Sequence, residues 1–333
     1  MKETLLDAGL RARVVTVHKS RLVVETASGE RSVSIDVRLL QGPPERRPVT
    51  GDWVVLFDDI VREVLPRTSA FIRRAAGNKA VAQVVAANID RVLIVMALPG
   101  DINIRRLERY LALGWESGAL PTVVLTKCDL VHDVEHYVAS IRVNAPGVDV
   151  IAVSAANDDG VNALRALIMP GNTIALLGSS GVGKSTLLNR LAGHVIMRTA
   201  DVDSDGRGRH TTTHRELVHI GDGVSVIDTP GMREMQLWSA ESGLEQAFGD
   251  ITALSASCRF GNCSHEREPG CAVTEAVADG TLDVERLHSW RKLAREAARS
   301  ILQTDAVAAA AEKARLRTFM RNVNAEVRRK RRT

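Results

Sequence analysis

The stretch Gly178-Ser179-Ser180-Gly181-Val182-Gly183-Lys184-Ser185 decides the fold of the central part of this chain. It matches the phosphate-loop pattern G-x-x-x-x-G-K-S, with an apolar run at 173–177 before it and the helical run that begins at Thr186 after it. In this order, backbone N–H groups and the positive end of the helix surround a β-phosphate. Lys184 would reach the β- and γ-phosphate oxygens, and Ser185 would ligate Mg²⁺. The sequence therefore predicts a nucleotide-binding α/β domain.

A second segment, Thr126-Lys127-Cys128-Asp129, follows an apolar run at 122–125 and is typical of a guanine-recognition loop. Its Asp129 carboxylate would accept hydrogen bonds from guanine N1–H and the exocyclic amine, while the Lys127 stem packs along the ring. Ser154 and Ala155 follow the next apolar run, where a backbone N–H can meet the guanine oxygen. Thr126 stands where asparagine is commoner. Because a hydroxyl has fewer hydrogen-bonding groups than an amide, moderate nucleotide affinity is expected.

A third segment, Asp228-Thr229-Pro230-Gly231, ends the apolar run at 224–227. Asp228 would hold Mg²⁺ through water and the Gly231 N–H would meet the γ-phosphate. The polar segment 207–214 before it is typical of a mobile switch, and Thr212 is its preferred Mg²⁺ ligand.

Met232 occupies the place where many GTPases carry a glutamine that orients the attacking water, and a thioether cannot do so. Either His210 or His214 substitutes, or a partner orders the switch, and slow intrinsic turnover is predicted. The alternative for each histidine is a solvated loop residue.

The order of these three segments is unusual, because ordinary GTPases place the phosphate loop first. An α/β sheet assembles its ligand site from loops at the carboxyl ends of several strands. The site therefore survives a rotation of strand order. One consequence is that the segment near the γ-phosphate leads directly into the C-terminal part of the chain, so that hydrolysis can act on an appended domain.

The organisation along the chain predicts three domains. Short β-branched runs separated by turns between residues 11 and 66 indicate a small five-stranded barrel, with an OB-fold favoured over a structural SH3-like barrel. A basic stretch that includes Arg67 lies between Pro66 and Asp90 and connects the barrel to the next domain. The predicted domain boundaries are residues 1–68 for an OB-fold RNA-binding barrel, 69–90 for a basic connector, 91–240 for a circularly permuted GTPase α/β domain, and 241–333 for a zinc-binding helical domain with a basic tail.

Three cysteines and one histidine lie within 14 residues near the C-terminus, namely Cys258, Cys263, His265 and Cys271. Nearby glycines and a proline permit the tight turns that would wrap these side chains around one ion. Three thiolates and an imidazole favour tetrahedral zinc. Because four protein ligands leave no open position for a catalytic water, the ion would be structural. The alternative is a group of free buried thiols.

Composition narrows the functional classes. The chain has 333 residues, of which 45% are hydrophobic, and no run approaches the ~20 apolar residues that span a membrane. We expect a cytoplasmic protein without a signal peptide. The net charge of +4 and the run of cations at 328–332 permit an anionic partner, although such a run is also typical of a solvated tail. Since aromatic residues make up 3% of the chain, RNA binding would depend on phosphate contacts and shape.

Together, the barrel, the rotated motif order and the Cys-x4-Cys-x-His-x5-Cys cluster resemble the ribosome small subunit-dependent GTPase RsgA (YjeQ/EngC) family. The resemblance covers roughly residues 11–310. It implies a GTP hydrolase that binds the 30S subunit and 16S rRNA near the decoding region. It further implies hydrolysis when docked and release of itself and other assembly factors late in 30S maturation. One structural zinc ion, Mg²⁺ with GTP, no membrane and a monomeric state are expected.

Two other hypotheses remain open from the residues. One is a GTP-gated RNA-binding module in which turnover has little role. The other is a P-loop ATPase or small-molecule kinase.

Overall fold

A computed structural model of the chain describes residues 9–18, 21–74, 82–197, 216–228 and 241–304. The strands are β1 (Leu10–Val17), β2 (Arg21–Thr26), β3 (Gly29–Ile35), β4 (Trp53–Phe57), β5 (Ile60–Val64), β6 (Ala70–Arg74), β7 (Ala82–Ala87), β8 (Arg91–Ala97), β9 (Leu120–Thr126), β10 (Asp149–Ala152), β11 (Thr173–Leu177), β12 (Glu216–His219) and β13 (Ser225–Asp228). The α-helices are α1 (Val37–Gln41), α2 (Ile104–Ser117), α3 (Val134–Asn144), α4 (Val161–Leu167), α5 (Lys184–Ala192), α6 (Glu241–Ala247), α7 (Gly249–Ser255), α8 (Ala272–Ala278) and α9 (Val284–Thr304).

Strands β1 to β5 form a closed barrel with the order β1-β2-β3-β5-β4, and β4 pairs back to β1. Alternate residues of each strand face the barrel interior, as the strand period of two requires. The interior is filled by small and β-branched side chains: Ala12, Val14, Leu22, Val24, Val33, Ile35, Val54, Leu56 and Val61. The predicted OB-like barrel is confirmed.

Strands β8 to β11 and β13 form the predicted parallel sheet, in the order β10-β9-β8-β11-β13, with β12 antiparallel at its edge. Alternate residues of β8 enter different cores: Val92, Ile94 and Met96 face one, while Leu93, Val95 and Ala97 face the other. Because both faces of this strand are buried, helices cover both sides of the sheet. The predicted α/β domain is confirmed, and its sheet is doubly wound.

The barrel is continuous with this sheet, because Thr16 of β1 pairs with Glu216 of β12. The Arg13 guanidinium strengthens the junction by donating to the carbonyls of Gly51 and Asn88 and to the Thr173 hydroxyl, at 3.2, 3.0 and 2.8 Å.

Gly51 lies where the barrel closely approaches β7. Its φ is +91°, and a Cβ there would lie 2.2 Å from the Ala87 carbonyl oxygen. Only glycine fits this position.

The segment that the sequence predicts to be a basic connector contains the antiparallel pair β6 and β7. Arg67, one of its cations, forms a two-point ion pair with the fully buried Asp52 of the barrel, at 2.7 and 2.8 Å. Burial raises the pKa of Asp52, and the Arg67 guanidinium acts in the opposite direction. At least this cation is therefore part of the folded framework rather than a free contact for an anionic partner.

The C-terminal helices share one hydrophobic core with α2, the helix that connects β8 and β9. Within it, the buried Arg286 of α9 donates to Glu108 of α2 at 3.1 Å and to both carboxylate oxygens of Asp250 in α7. Arg286 also lies over the ring of Phe248, with its guanidinium carbon 4.8 Å from the ring centroid. A further two-point ion pair joins Arg109 and Glu296. The helical region is thus anchored to α2 by charged groups that are largely out of solvent.

None of the described helices, the 21-residue α9 included, has the length and apolarity needed to cross a membrane.

Replacing Arg286 by methionine should lower the unfolding free energy of the helical region by about 3–5 kcal/mol, because it leaves Glu108 buried without its cation. Burial already raises the pKa of Glu108, which Ser289 and Arg286 counteract. A raised folded-state pKa favours the protonated folded form, so the deficit should shrink as pH falls from 8 towards 5. Thermal unfolding followed by circular dichroism at several pH values measures both effects.

Lys292→Met removes an exposed cation from the same helix and serves as the matched control. Adding Glu108→Leu to Arg286→Met should recover most of the loss. Equal unfolding midpoints for Arg286→Met and Lys292→Met would contradict the anchoring role.

Candidate nucleotide and metal sites

Three of the predicted nucleotide-binding segments follow parallel strands and therefore meet at the carboxyl ends of those strands. The base loop (126–129) follows β9, the loop at 154–160 follows β10, and the phosphate loop (178–185) follows β11. Asp228 ends β13, which runs parallel to β11. The rotated chain order has not separated these segments.

The base loop and the phosphate loop contact each other directly. The Thr126 hydroxyl donates to the Val182 carbonyl at 2.6 Å, with the Met96 carbonyl as a longer alternative acceptor at 3.3 Å. The Lys127 ammonium donates to the Gly181 carbonyl at 3.1 Å. Asp129, two residues on, is exposed, so its carboxylate is available to a ligand. The threonine that was expected to weaken the site therefore has a bridging contact of its own.

Gly178 opens the phosphate loop in a conformation that other residues resist. Its φ is +155°, and a Cβ there would lie 2.3 Å from the Val95 carbonyl oxygen of the neighbouring strand β8. The loop is therefore seated tightly against the sheet before it turns into α5.

Helix α5 begins at Lys184, and the Lys184 ammonium donates to the carbonyls of Gly178 and Ser179. This cation and the first N–H groups of the helix give the loop the electrostatics of an anion site. Ser185 follows on the first turn and is half-buried, as a hydroxyl that ligates a phosphate-bound cation would be.

In the loop after β10, most backbone N–H groups of residues 154–157 donate to acceptors within the loop itself. The Ser154 N–H donates to the Asp159 carbonyl at 2.9 Å, and the Ser154 hydroxyl accepts from the N–H groups of Ala156 and Asn157, both at 3.3 Å. Among residues 154–157, the Ala155 N–H is the one without an acceptor in the described part of the chain. It is the amide that can serve a ligand at this edge.

Cys128 stabilises the base loop rather than presenting a reactive thiol. Its side chain is buried, and burial raises its pKa, with the charges of Asp159 and Asp129 acting in the same direction. Its backbone N–H donates to the Val153 carbonyl at 3.3 Å, which ties the base loop to the end of β10.

Several predicted residues lie outside the described ranges. These are the switch residues His210, Thr212 and His214, and Gly231 after β13. Asp228 is placed only by its backbone at the end of β13.

The four predicted metal ligands converge, with all ligand atoms within 4.8 Å of one another. The sulfurs of Cys258 and Cys271 lie 3.9 Å apart, and each lies 3.4–3.5 Å from His265 Nδ1. A tetrahedral ion with bonds of about 2.3 Å to sulfur and 2.0 Å to nitrogen would require edges of about 3.8 and 3.5 Å. The group therefore fits one metal ion.

A residue that sequence reasoning missed, Ser255, orients the histidine ligand. The Ser255 hydroxyl donates to the Ile251 carbonyl at 2.7 Å and lies 3.0 Å from His265 Nε2. Because the hydroxyl already donates its single proton to the Ile251 carbonyl, it accepts a hydrogen bond from His265 Nε2–H. The proton is then on Nε2, and the lone pair of Nδ1 faces the thiols. No pattern in the sequence around Ser255 predicts this contact.

The thiols of the cluster differ in acidity. Burial raises the pKa of Cys263 to about 11, and the neighbouring thiols act in the same direction. Burial also opposes ionisation of Cys271, but hydrogen bonds from Thr274 and His265 lower its pKa to about 6. One thiolate is thus readily available to a metal, whereas Cys263 would release its proton on binding.

Comparison with known protein families gives a match to the model described as RsgA GTPase over residues 64–238. A second match, to the model described as ABC transporter, covers residues 161–332. That second range includes the phosphate loop, which nucleotide-hydrolysing families share, but not the base loop. A curated relative from Opitutus terrae, named small ribosomal subunit biogenesis GTPase RsgA, is 46% identical over 92% of this chain and 88% of its own length.

Two solved structures resemble the fold. YjeQ from Thermotoga maritima has a TM-score of 0.64 at 24% identity, covering 87% of this chain and 98% of its own. The structure titled YloQ, a circularly permuted GTPase, has a TM-score of 0.60 at 23% identity, covering 87% of this chain and 95% of its own. These likenesses establish the shared fold.

Replacing Ser255 by alanine should weaken metal binding about tenfold, because the His265 ring loses the group that orients it. Competition with a chromophoric chelator, with zinc as the probe, measures the change. Thr252→Ala is the matched control, since the Thr252 hydroxyl makes a similar contact to the Phe248 carbonyl at 3.2 Å one turn earlier. An affinity loss that is the same in both variants would argue against the orienting role.

Proposed function

This chain belongs to the RsgA GTPase family and is a GTPase, and from that premise we propose that it acts in biogenesis of the small ribosomal subunit. The finer proposal is a GTP hydrolase stimulated by the 30S subunit, which binds 16S rRNA late in 30S maturation. Hydrolysis would be coupled to release of the protein itself and of other assembly factors.

The observation that carries the proposal is the contact between the base loop and the phosphate loop. A bond of 2.6 Å from Thr126 to Val182 and one of 3.1 Å from Lys127 to Gly181 support one shared cleft for a base and its phosphates. A purine reader and a phosphate cradle in contact are what a guanine-nucleotide site requires.

Guanine recognition is assigned to three groups at this edge. The exposed Asp129 carboxylate would accept from guanine N1–H and the 2-amine, and the Ala155 N–H would donate to the 6-oxo group. The aliphatic stem of Lys127 would lie along the ring. Adenine has neither the two donors nor the oxo group at these positions, so its nucleotides would leave the Asp129 carboxylate and the Ala155 N–H without partners.

Phosphate and Mg²⁺ binding are assigned to the loop that ends in α5. Lys184 would exchange its contacts with loop carbonyls for contacts with phosphate oxygens, and the Ser185 hydroxyl would ligate Mg²⁺. Two further residues would complete the proposed Mg²⁺ shell: Asp228, through a water molecule, and Thr212. His210 or His214 would orient the attacking water where Met232 cannot, and hydrolysis without a partner should therefore be slow.

Zinc is the proposed occupant of the Cys258, Cys263, His265 and Cys271 group, because three thiolates and an imidazole at tetrahedral distances suit it best. Four protein ligands leave no place for a catalytic water, so the ion would order the segment between α7 and α8.

The partner proposal is supported by the name that the relatives carry, small ribosomal subunit biogenesis GTPase. We assign rRNA contact to the barrel and to the zinc-binding helical region, with the domain boundaries 1–68, 69–90, 91–240 and 241–333. A monomeric cytoplasmic protein fits this assignment. Contact would rest on phosphates and weaken steeply with salt.

Purified 30S particles should raise the rate of phosphate release from GTP by at least about tenfold, because docking would order a switch that lacks the usual glutamine. Single-turnover measurements with 30S particles, naked 16S rRNA and no addition test this. Equal rates in all three would favour the alternative, a GTP-gated RNA-binding module with little functional turnover.

Asp129→Asn should move nucleotide preference from guanosine towards xanthosine nucleotides, because an amide can donate to the 2-oxo group where a carboxylate cannot. Competition binding with GDP and xanthosine diphosphate gives the change in preference. Asp133→Asn, which alters an exposed helix cap near the same loop, should leave it unaltered. Retained guanine preference in Asp129→Asn would remove this residue from base recognition.

A further inference from the structure

We propose that Arg190, near the C-terminal end of α5, is a positioning residue for guanine selectivity: its ion pair with Asp158 holds the loop that presents the Ala155 N–H. This inference rests on the proposed function, because it assumes that Ala155 meets the guanine 6-oxo group. Neither Arg190 nor Asp158 would touch the nucleotide. They would instead fix the position of the Ala155 N–H.

The contact itself is a two-point one. Arg190 donates from Nε to Oδ1 of Asp158 and from its terminal nitrogen to Oδ2. Both side chains are about half exposed, at 45% and 52%. A two-point guanidinium–carboxylate pair fixes the relative orientation of its two groups as well as their distance. Among exposed ion pairs, this type holds its partners in the best-defined geometry.

The backbone of this loop is strained at Asp158 and Gly160, a few residues after Ala155, so an ion pair that stabilises this conformation matters. Asp158 has a φ of +68°, in the left-handed region that costs free energy for residues with a side chain. Gly160 follows with a φ of +71°, and a Cβ there would lie 2.0 Å from the Ala152 carbonyl oxygen. The loop is therefore bent sharply back onto β10, and Asp158 lies at the bend.

Helix α5 provides a rigid reference for that bend. The same helix begins at Lys184 of the phosphate loop, and Arg190 lies six residues later, about 9 Å along the axis. Arg165 of α4 fastens the far end of α5 by donating to the carbonyls of Arg190 and Leu191 at 2.8 and 3.3 Å. A single helix thus carries the phosphate cradle at one end and the support for the base-side loop at the other.

The inference gives a base-specific expectation. Arg190→Gln should weaken GDP binding about two- to fivefold, the range expected of an exposed ion pair. Binding of 6-thio-GDP should change little, because sulfur at position 6 is a poor acceptor and this contact is already lost. Inosine diphosphate keeps the 6-oxo group and should weaken in parallel with GDP. The affinity ratio of GDP to 6-thio-GDP therefore falls in the variant.

Calorimetric titration of the full chain with GDP, 6-thio-GDP, inosine diphosphate and ADP provides the measurement. Asp158→Asn, which keeps a residue tolerant of the left-handed backbone, should reproduce the effect. Arg190→Lys should give partial rescue, because an ammonium retains the charge without the two-point geometry. Arg142→Gln removes an exposed guanidinium from α3 and leaves both Arg190 and Asp158 in place, so its GDP to 6-thio-GDP ratio should equal that of the unaltered chain.

The outcomes separate this inference from the proposed function. If the unaltered chain binds ADP as well as GDP, guanine recognition itself fails. If the chain is guanine-selective but Arg190→Gln weakens all guanine analogues equally or none, Arg190 has no role in base selectivity and the inference is overturned.

Discussion

The contact between the base loop and the phosphate loop is the constraint on which the rest of the nucleotide site depends. The two loops are joined by a hydroxyl and an ammonium that donate to backbone carbonyls of Val182 and Gly181. They meet because parallel strands bring their carboxyl ends to one edge, whatever the order in which the chain visits the strands. A rotation of chain order therefore changes which segments are covalently joined but leaves these two loops in contact.

What the rotation does change is how the helical region is attached. Strand β13 ends at Asp228, and the next described element is α6, which packs against α2. Arg286 adds a second tie, through its buried contact with Glu108 of α2. Separating these two groups would leave charge out of water, which is costly. The helical region is thus fastened to the GTPase domain by these contacts, and its displacement would involve α2 as well.

Much of this architecture was predictable from sequence, for a physical reason. The barrel strands, the buried strands and the phosphate loop depend on patterns within a few residues, and the ligands Cys258 to Cys271 lie within one short segment. The basic connector shows the limit of such patterns: charge was visible, but the pairing of Arg67 with buried Asp52 was not. Thr126 shows it too, because counting its hydrogen-bonding groups could not reveal the Val182 carbonyl.

The amino-acid sequence by itself determined which chemical groups the protein possesses: a phosphate-loop pattern, the tetrapeptide at 126–129 and a cluster of three cysteines and one histidine, each formed by neighbours in the chain. Only the tertiary structure decided which of these groups touch, and which supports hold them. Ser255 behind His265, Arg190 beside Asp158 and Arg286 between Glu108 and Asp250 are such supports. Most of these contacts join residues far apart in the chain, and even the nearest, Ser255 with His265, depends on the fold of the segment between them. A contact of that kind is set by the packing of whole elements, which no local pattern contains.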